Sequence, residues 1–181
     1  MLAKGGALGE ALSAALPSGW SLRERVEADG PFLCQLYAST RWEELTPVPW
    51  PEEHKLAFLA DQFAKQHTHY LQHYPGAYWL VIEVDGVSVG RIYLYPTEKE
   101  IRVMDIALVP ERRDQGVGTA LLQALAAQAD AGGRIVSLHV EPNNRALGLY
   151  RRLGYAEVEA RGYYLYLERR PRPDGASTGP S

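Results

Sequence analysis

The 181-residue sequence holds one cysteine, Cys34, and two methionines, and nowhere a continuous apolar run of membrane-spanning length. A lone cysteine excludes disulfides within the chain and thiolate-rich metal centres, and it makes a reducing cytoplasm the expected compartment. Its apolar neighbours in PFLCQLY place it in the core and argue against a nucleophile. Excess charge of one sign is missing too. Nineteen lysines and arginines against 22 aspartates and glutamates leave a formal net charge of −3, so nothing in the balance attracts nucleic acid or a membrane surface. The N-terminal MLAKGGALGEALSAALPSG lacks an uninterrupted apolar segment, because glycines and Glu10 break it, and it does not read as a secretory signal. In QHTHYLQHY, His69 and His73 share an i,i+4 spacing, but no glutamate follows the first histidine as H-E-x-x-H requires, and no metal is expected.

What the chain does have is ample material for one core, with 46% hydrophobic residues, and one turn of unusual composition. The mostly apolar, β-branched IRVMDIALV at 101–109 predicts a sheet strand covered on both faces. Downstream, TALLQALAAQADAGG predicts a helix stopped by Gly132 and Gly133. Between them, PERRDQGVG lets the backbone curl at Gly116 and Gly118 and leaves unpaired N–H groups at the positive end of the helix, where an anion is favoured. Arg112 and Arg113 supply local cations. No lysine precedes Thr119, which excludes a P-loop, and Ala120 and Leu121 follow where a dinucleotide fingerprint needs its last glycine. The order Arg113-Asp114-Gln115-Gly116-Val117-Gly118 fits Arg/Gln-x-x-Gly-x-Gly/Ala instead.

A second segment lies downstream, LHVEPNNRALGLYRRLGYAEV. It predicts a strand over 135–140, a short helix over 144–153, a glycine stop at Gly154 and another strand from Tyr155. Its residues Asn143, Ala146, Leu149, Tyr150, Gly154 and Tyr155 are similar to an Asn-x-x-Ala-x-x-Leu-Tyr-x-x-x-Gly-Phe/Tyr pattern. With both signatures in order, the chain resembles the GNAT N-acetyltransferase superfamily. The resemblance implies an α/β (α+β), single-domain acyl-CoA N-acyltransferase fold, with a mixed, mostly antiparallel central sheet of about seven strands flanked by helices.

The elements follow that order. Residues 1–18 read as a loosely held extension, 19–169 as the working domain, and 170–181, rich in Pro, Gly and Ser, as a disordered tail. Within the domain the pattern predicts a strand over 22–26, a helix over 32–39 and a loop holding Trp42, Pro47, Pro49, Trp50 and Pro51. A long helix over 52–73 comes next, then strands over 78–84 and 87–95 joined by Asp85-Gly86, a strong hairpin signal. The last strands are expected over 155–160 and 163–167 around Arg161-Gly162.

The resemblance also implies a chemistry: transfer of the acetyl group of acetyl-CoA to a primary amine, by direct attack within a ternary complex. Backbone amides of Gln115, Gly116, Val117, Gly118 and Thr119, with Arg113, would hold the pyrophosphate, and the strand at Leu108 and Val109 would pair with the pantetheine arm. Asn143 would bond the cofactor, cap the helix, or both. Tyr150 matches the general acid that protonates the leaving thiolate, while a tyrosine packed between helix and sheet is the other reading. For the base the candidates are Asp105 and Glu141. A carboxylate inside VMDIALV is expensive to bury unpaired, yet the hairpin sets Asp105 across from Arg91, and an ion pair would suffice. Two departures concern the phosphate loop, where Asp114 and Gln115 replace the first glycine and the lysine of the family's commonest Arg-Gly-Lys-Gly-x-Gly. They keep open a non-catalytic acyl-CoA-binding or sensor module, and a different acyl-CoA donor is a further alternative. The acceptor is a small-molecule or peptide amine, with the helix over 52–73 and the Trp42/Trp50 loop as its wall, in a monomer or homodimer.

Overall fold

The computed structural model describes residues 6–173. In chain order its elements are α1 (Gly6–Ala15), β1 (Trp20–Glu24), α2 (Gly30–Leu45), α3 (Glu52–His73), β2 (Tyr78–Val84), β3 (Val87–Pro96) and β4 (Glu100–Leu108). They continue with α4 (Val117–Ala131), β5 (Ile135–Val140), α5 (Leu147–Arg152), β6 (Ala156–Arg161) and β7 (Tyr164–Arg169). Seven strands form one sheet in the order β1-β2-β3-β4-β5-β7-β6. β1 pairs with β2, β5 with β7 and β6 with β7 in antiparallel fashion, and β4 pairs with β5 in parallel, which is the mixed, mostly antiparallel arrangement expected. Among the described residues no helix is long and apolar enough to cross a membrane. Contacts gather the described chain into two units, residues 19–93 with 105–115, and residues 6–18 with 94–104 and 116–173.

In the first unit, β1 lies against β2 from Trp20↔Val84 to Glu24↔Leu80. Arg23 ties this edge down, its Nη atoms bonding both Asp29 oxygens at 2.7 and 2.8 Å and its Nε bonding Glu83 at 2.6 Å. α2 buries Leu33, Leu36 and Tyr37, spaced for one helical face, and packs against α3. It runs six residues past the expected end. Ser39 and Thr40 turn their hydroxyls back onto the Leu36 and Tyr37 carbonyls at 2.7 Å, so the helix carries them through and Trp42 is helical. Cys34 is half-buried on this helix, and burial pushes its thiol pKa up, away from the reactive thiolate. Asp85 and Gly86 both take positive φ, as the tight β2–β3 hairpin demands. On β3, Gly90 is required by close approach: a Cβ there would stand 2.5 Å from the Ala107 carbonyl oxygen and 2.6 Å from Leu108 Cδ2 on β4.

In the second unit, α4 buries Val117, Leu121, Leu122, Leu125 and Ala129, the stripe of a helix lying on a sheet. β4 and β5 are in register over Glu100↔Ile135 to Val103↔Leu138 only, and β4 runs on to Leu108. The segment read as a loose extension forms α1 instead. Leu8 and Leu12, an i,i+4 pair, are buried, and the helix packs against α4. At the other end, the buried Arg169 makes a two-pronged bond to Asp130 at 2.8 and 2.9 Å and donates to the Leu153 carbonyl. Asp130 also accepts the backbone N–H of Arg172 at 2.8 Å. Of the expected disordered tail, residues 174–181 lie outside the described residues.

Candidate active site

β4 ends at Leu108, and the short 3-10 turn Pro110–Arg112 leads into the loop. Arg113 folds back so that its Nε donates to the Leu108 carbonyl at 3.0 Å, and Gln115 Nε2 donates to the Glu111 carbonyl at 3.3 Å. Asp114 then takes φ +59° and Gly116 φ +78°, two left-handed turns of the backbone with one residue between them. Asp tolerates that region better than most residues, which lets it stand where the family's commonest sequence has glycine. Asp114 and Gln115 are exposed.

Gly116 is the N-cap of α4. The first intrahelical amide of the turn is that of Ala120, bonded to the Gly116 carbonyl at 3.0 Å; by helix geometry the amides before it have no acceptor inside the helix. A Cβ on Gly116 or on Gly118 would meet nothing within 4 Å, so neither glycine is walled in on its side-chain side. Uncommitted N–H groups, a helix dipole and open space at two glycines fit a pyrophosphate. Val109 donates its N–H to the Val89 carbonyl at 2.8 Å, and its carbonyl accepts the Arg112 N–H at 3.0 Å. The Leu108 and Val109 carbonyls each keep a second lone pair beyond the bonds from Arg113 and Arg112.

In the second unit the strand–turn–helix around Asn143 starts its helix later than expected, at Leu147. The reason is Asn144, whose Oδ1 accepts the Ala146 N–H at 2.8 Å and whose own N–H bonds the Glu141 carbonyl at 3.0 Å. The turn role considered for Asn143 therefore belongs to its neighbour, and Asn143 is exposed. Glu141 sits half-buried just past β5. Tyr150 is 7% exposed, and its ring meets that of Tyr155 edge-on at 5.6 Å. The Tyr155 hydroxyl is buried with no hydrogen-bond partner among the described residues, and burial, helped by Tyr150, pushes its pKa far up, so it stays protonated.

In the first unit the pairing of Asp105 with Arg91 is present. Arg91 is 3% exposed, and its Nε and Nη2 both meet Asp105 Oδ2. Nη2 also donates to Gln66 Oε1 of α3 at 3.0 Å, and the guanidinium lies 4.7 Å from the centre of the Tyr93 ring. Tyr70 packs at this network through Tyr93 and Trp79, and its phenol pKa is pushed up first by burial and then by the Asp105 charge. Reading the histidine-rich segment for its histidines overlooked Gln66. His69 and His73 stack on each other at 4.2 Å with His73 Nδ1 on the His69 carbonyl, whereas Gln66 reaches the ion pair. Its signal was its position, one turn before Tyr70 on the helix face turned to the sheet.

Comparison with known proteins meets this geometry. A family model described as the acetyltransferase (GNAT) family matches residues 37–155. A Bacillus subtilis protein named as a candidate ribosomal protein bS18 alanine N-acetyltransferase is 36% identical over 90 residues, 48% of this chain and 58% of that protein. An N-alpha-acetyltransferase of Sulfurisphaera tokodaii is 34% identical over 110 residues, 52% of this chain and 65% of that protein. The chain thus spans about three fifths of the length of these curated relatives. Among solved structures, the PaiA N-acetyltransferase of Thermoplasma acidophilum in complex with coenzyme A superposes with a TM-score of 0.62 at 18% identity, over 83% of this chain and 98% of that one. The ribosomal-protein-S18-alanine N-acetyltransferase of Escherichia coli does so with 0.59 at 18%, over 88% and 99%. The loop, the sheet and the family match agree: the chain belongs to the GNAT acetyltransferase family.

Proposed function

We propose that this protein transfers the acetyl group of acetyl-CoA to the N-terminal α-amine of a protein or peptide, by direct attack within a ternary complex. The observation that carries the proposal is the start of α4, where the left-handed Gly116 and the open space at Gly116 and Gly118 present first-turn amides to a pyrophosphate. Relatives named for alanine and N-alpha acetylation support an α-amine over other amines.

Acetyl-CoA supplies an activated acyl carbon, to which the amine nitrogen bonds as the carbon–sulfur bond breaks. Gln115 to Thr119 hold the pyrophosphate through their amides, with Arg113 alongside. The strand-edge contact to the pantetheine arm falls on Leu108 and Val109, whose carbonyls each keep a second lone pair beyond the bond they accept. Asn143 bonds the cofactor with its exposed amide. Asp105 or Glu141 takes the ammonium proton, directly or through water, and Tyr150 gives a proton to the departing thiolate.

The test is a thiol-release assay over peptides with free N-termini, run beside Tyr150→Phe. The expected outcome is turnover by the wild type, with kcat lowered about 10²–10⁴-fold in the variant and the KM for acetyl-CoA little changed. CoA binding without thiol release for any amine would support the binding-module alternative, and full activity in Tyr150→Phe would remove the acid from the mechanism.

A further inference from the structure

The Arg91–Asp105 pair is joined end-on. Two of the three guanidinium nitrogens, Nε and Nη2, meet the same oxygen, Oδ2, so Oδ1 lies outside the pair. The two partners differ in access, with the Arg91 side chain 3% exposed and that of Asp105 27% exposed. Burying a guanidinium is costly, and an apolar pair of similar volume serves stability as well or better, so the pair is weak evidence for a purely structural role. Three elements nonetheless converge to hold it: β4 contributes Asp105, β3 contributes Arg91 with Tyr93 beneath the guanidinium, and α3 contributes Gln66, whose Oε1 accepts from Arg91 Nη2. Held this way, Arg91 is committed to Oδ2, to Gln66 and to the face of Tyr93, while Asp105, the more exposed partner, keeps Oδ1 outside the pair.

We infer that Asp105 Oδ1 anchors the positively charged amino group of the acceptor, and that Arg91 and Gln66 are positioning residues that aim it. The inference rests on the acetyl-transfer reading above and deepens it, by assigning the group that distinguishes a cationic acceptor from an uncharged one of the same shape. The anchor binds the ammonium form by a charge-assisted hydrogen bond.

The experiment is calorimetric binding to the CoA-loaded protein at neutral pH, which needs no turnover. One probe is a heptapeptide beginning with alanine; the other is the same peptide with a propionyl group in place of that alanine, which keeps the shape and lacks the amine. The wild type is expected to prefer the amine by about 10–100-fold, the range of a hydrogen bond to a charged group. In Asp105→Asn that preference falls to near unity, and in Arg91→Lys and Gln66→Ala it falls part of the way. Where Asp105→Asn does not fold, the paired change Arg91→Met with Asp105→Leu removes both charges together and is expected to abolish the preference in a folded protein. An undiminished preference in Asp105→Asn or in the paired variant, or no preference in the wild type, overturns the assignment. Lack of thiol release with a peptide that binds would instead count against the acetyl-transfer reading and leave the anchor standing.

Discussion

Asp114 is the residue where local conformation and electrostatics pull in different directions. Its φ of +59° suits glycine better, and an aspartate there adds an anion beside the amides meant for a pyrophosphate. Asp114→Gly removes both penalties. Its KM for acetyl-CoA is expected to fall several-fold at low ionic strength, with the gain shrinking as salt is added, because the side chain is exposed and its field is screened. Steady-state kinetics at two salt concentrations decide it; a gain that ignores salt would assign the effect to backbone conformation alone. At this scale the sequence was legible wherever two residues are near each other along a hairpin: Arg91 and Asp105 could be paired by folding β3 onto β4. Gln66 could not, since its place over Arg91 depends on how α3 docks, and no local pattern carries that. Asn143 and Asn144 show the same limit, as adjacent asparagines compete for one turn and only geometry chooses.

Among the elements, β3 and β4 depend on one missing side chain. Gly90→Ala places a methyl 2.5 Å from a backbone oxygen that cannot swing aside as a side chain would, so β4 must shift. We expect a loss of about 1–3 kcal/mol, the usual range for overpacking, read as a lower midpoint in urea. Because the displaced residues Ala107 and Leu108 end the strand that enters the phosphate loop, acetyl-CoA affinity is expected to fall as well. A variant of unchanged midpoint would show that β4 has slack there. The strands and α4 were readable because alternation, hairpin turns and glycine stops are local signals. α1 was misjudged because its glycines and alanines look permissive, and the two leucines that seat it matter only once α4 is there to receive them. The extent of α2 was hidden by Ser39 and Thr40, whose hydroxyls satisfy the helix from within.

Across the whole molecule, stability should depend on pH in two stages. Burial, followed by the Arg25 and Arg91 charges, lowers the pKa of His67, whose Nε2 lies 3.0 Å from Arg25 Nη2. The unfolded chain therefore takes up that proton first, and stability begins to fall as pH drops below about 6.5. The carboxylates act lower down. The Arg23 bonds hold Asp29 below the usual carboxylate range, and the Arg169 bonds do the same for Asp130. A depressed carboxylate contributes stability that is present above the unfolded pKa, near ~4, and is lost as pH falls through the folded value. Thermal unfolding from pH 8 to pH 2 is expected to show both declines. His67→Phe should shrink the first, which His139, lowered by burial in the same way, shares, while leaving the second, and Asp130→Asn should lower the midpoint at neutral pH and weaken the acid decline. A single featureless slope in the wild type would contradict this division.

The aromatic group beside the ion pair has an optical consequence. Trp79 stands edge-on to Tyr93 at 5.0 Å and 6.1 Å from Tyr70, and Tyr93 carries the Arg91 guanidinium on its face. Rings held at fixed mutual angles in an asymmetric field give coupled near-ultraviolet dichroism. Light absorbed by the protein itself can thus register a disturbance at Asp105, with no label attached, and the first unit carries its own gauge of whether that carboxylate has company.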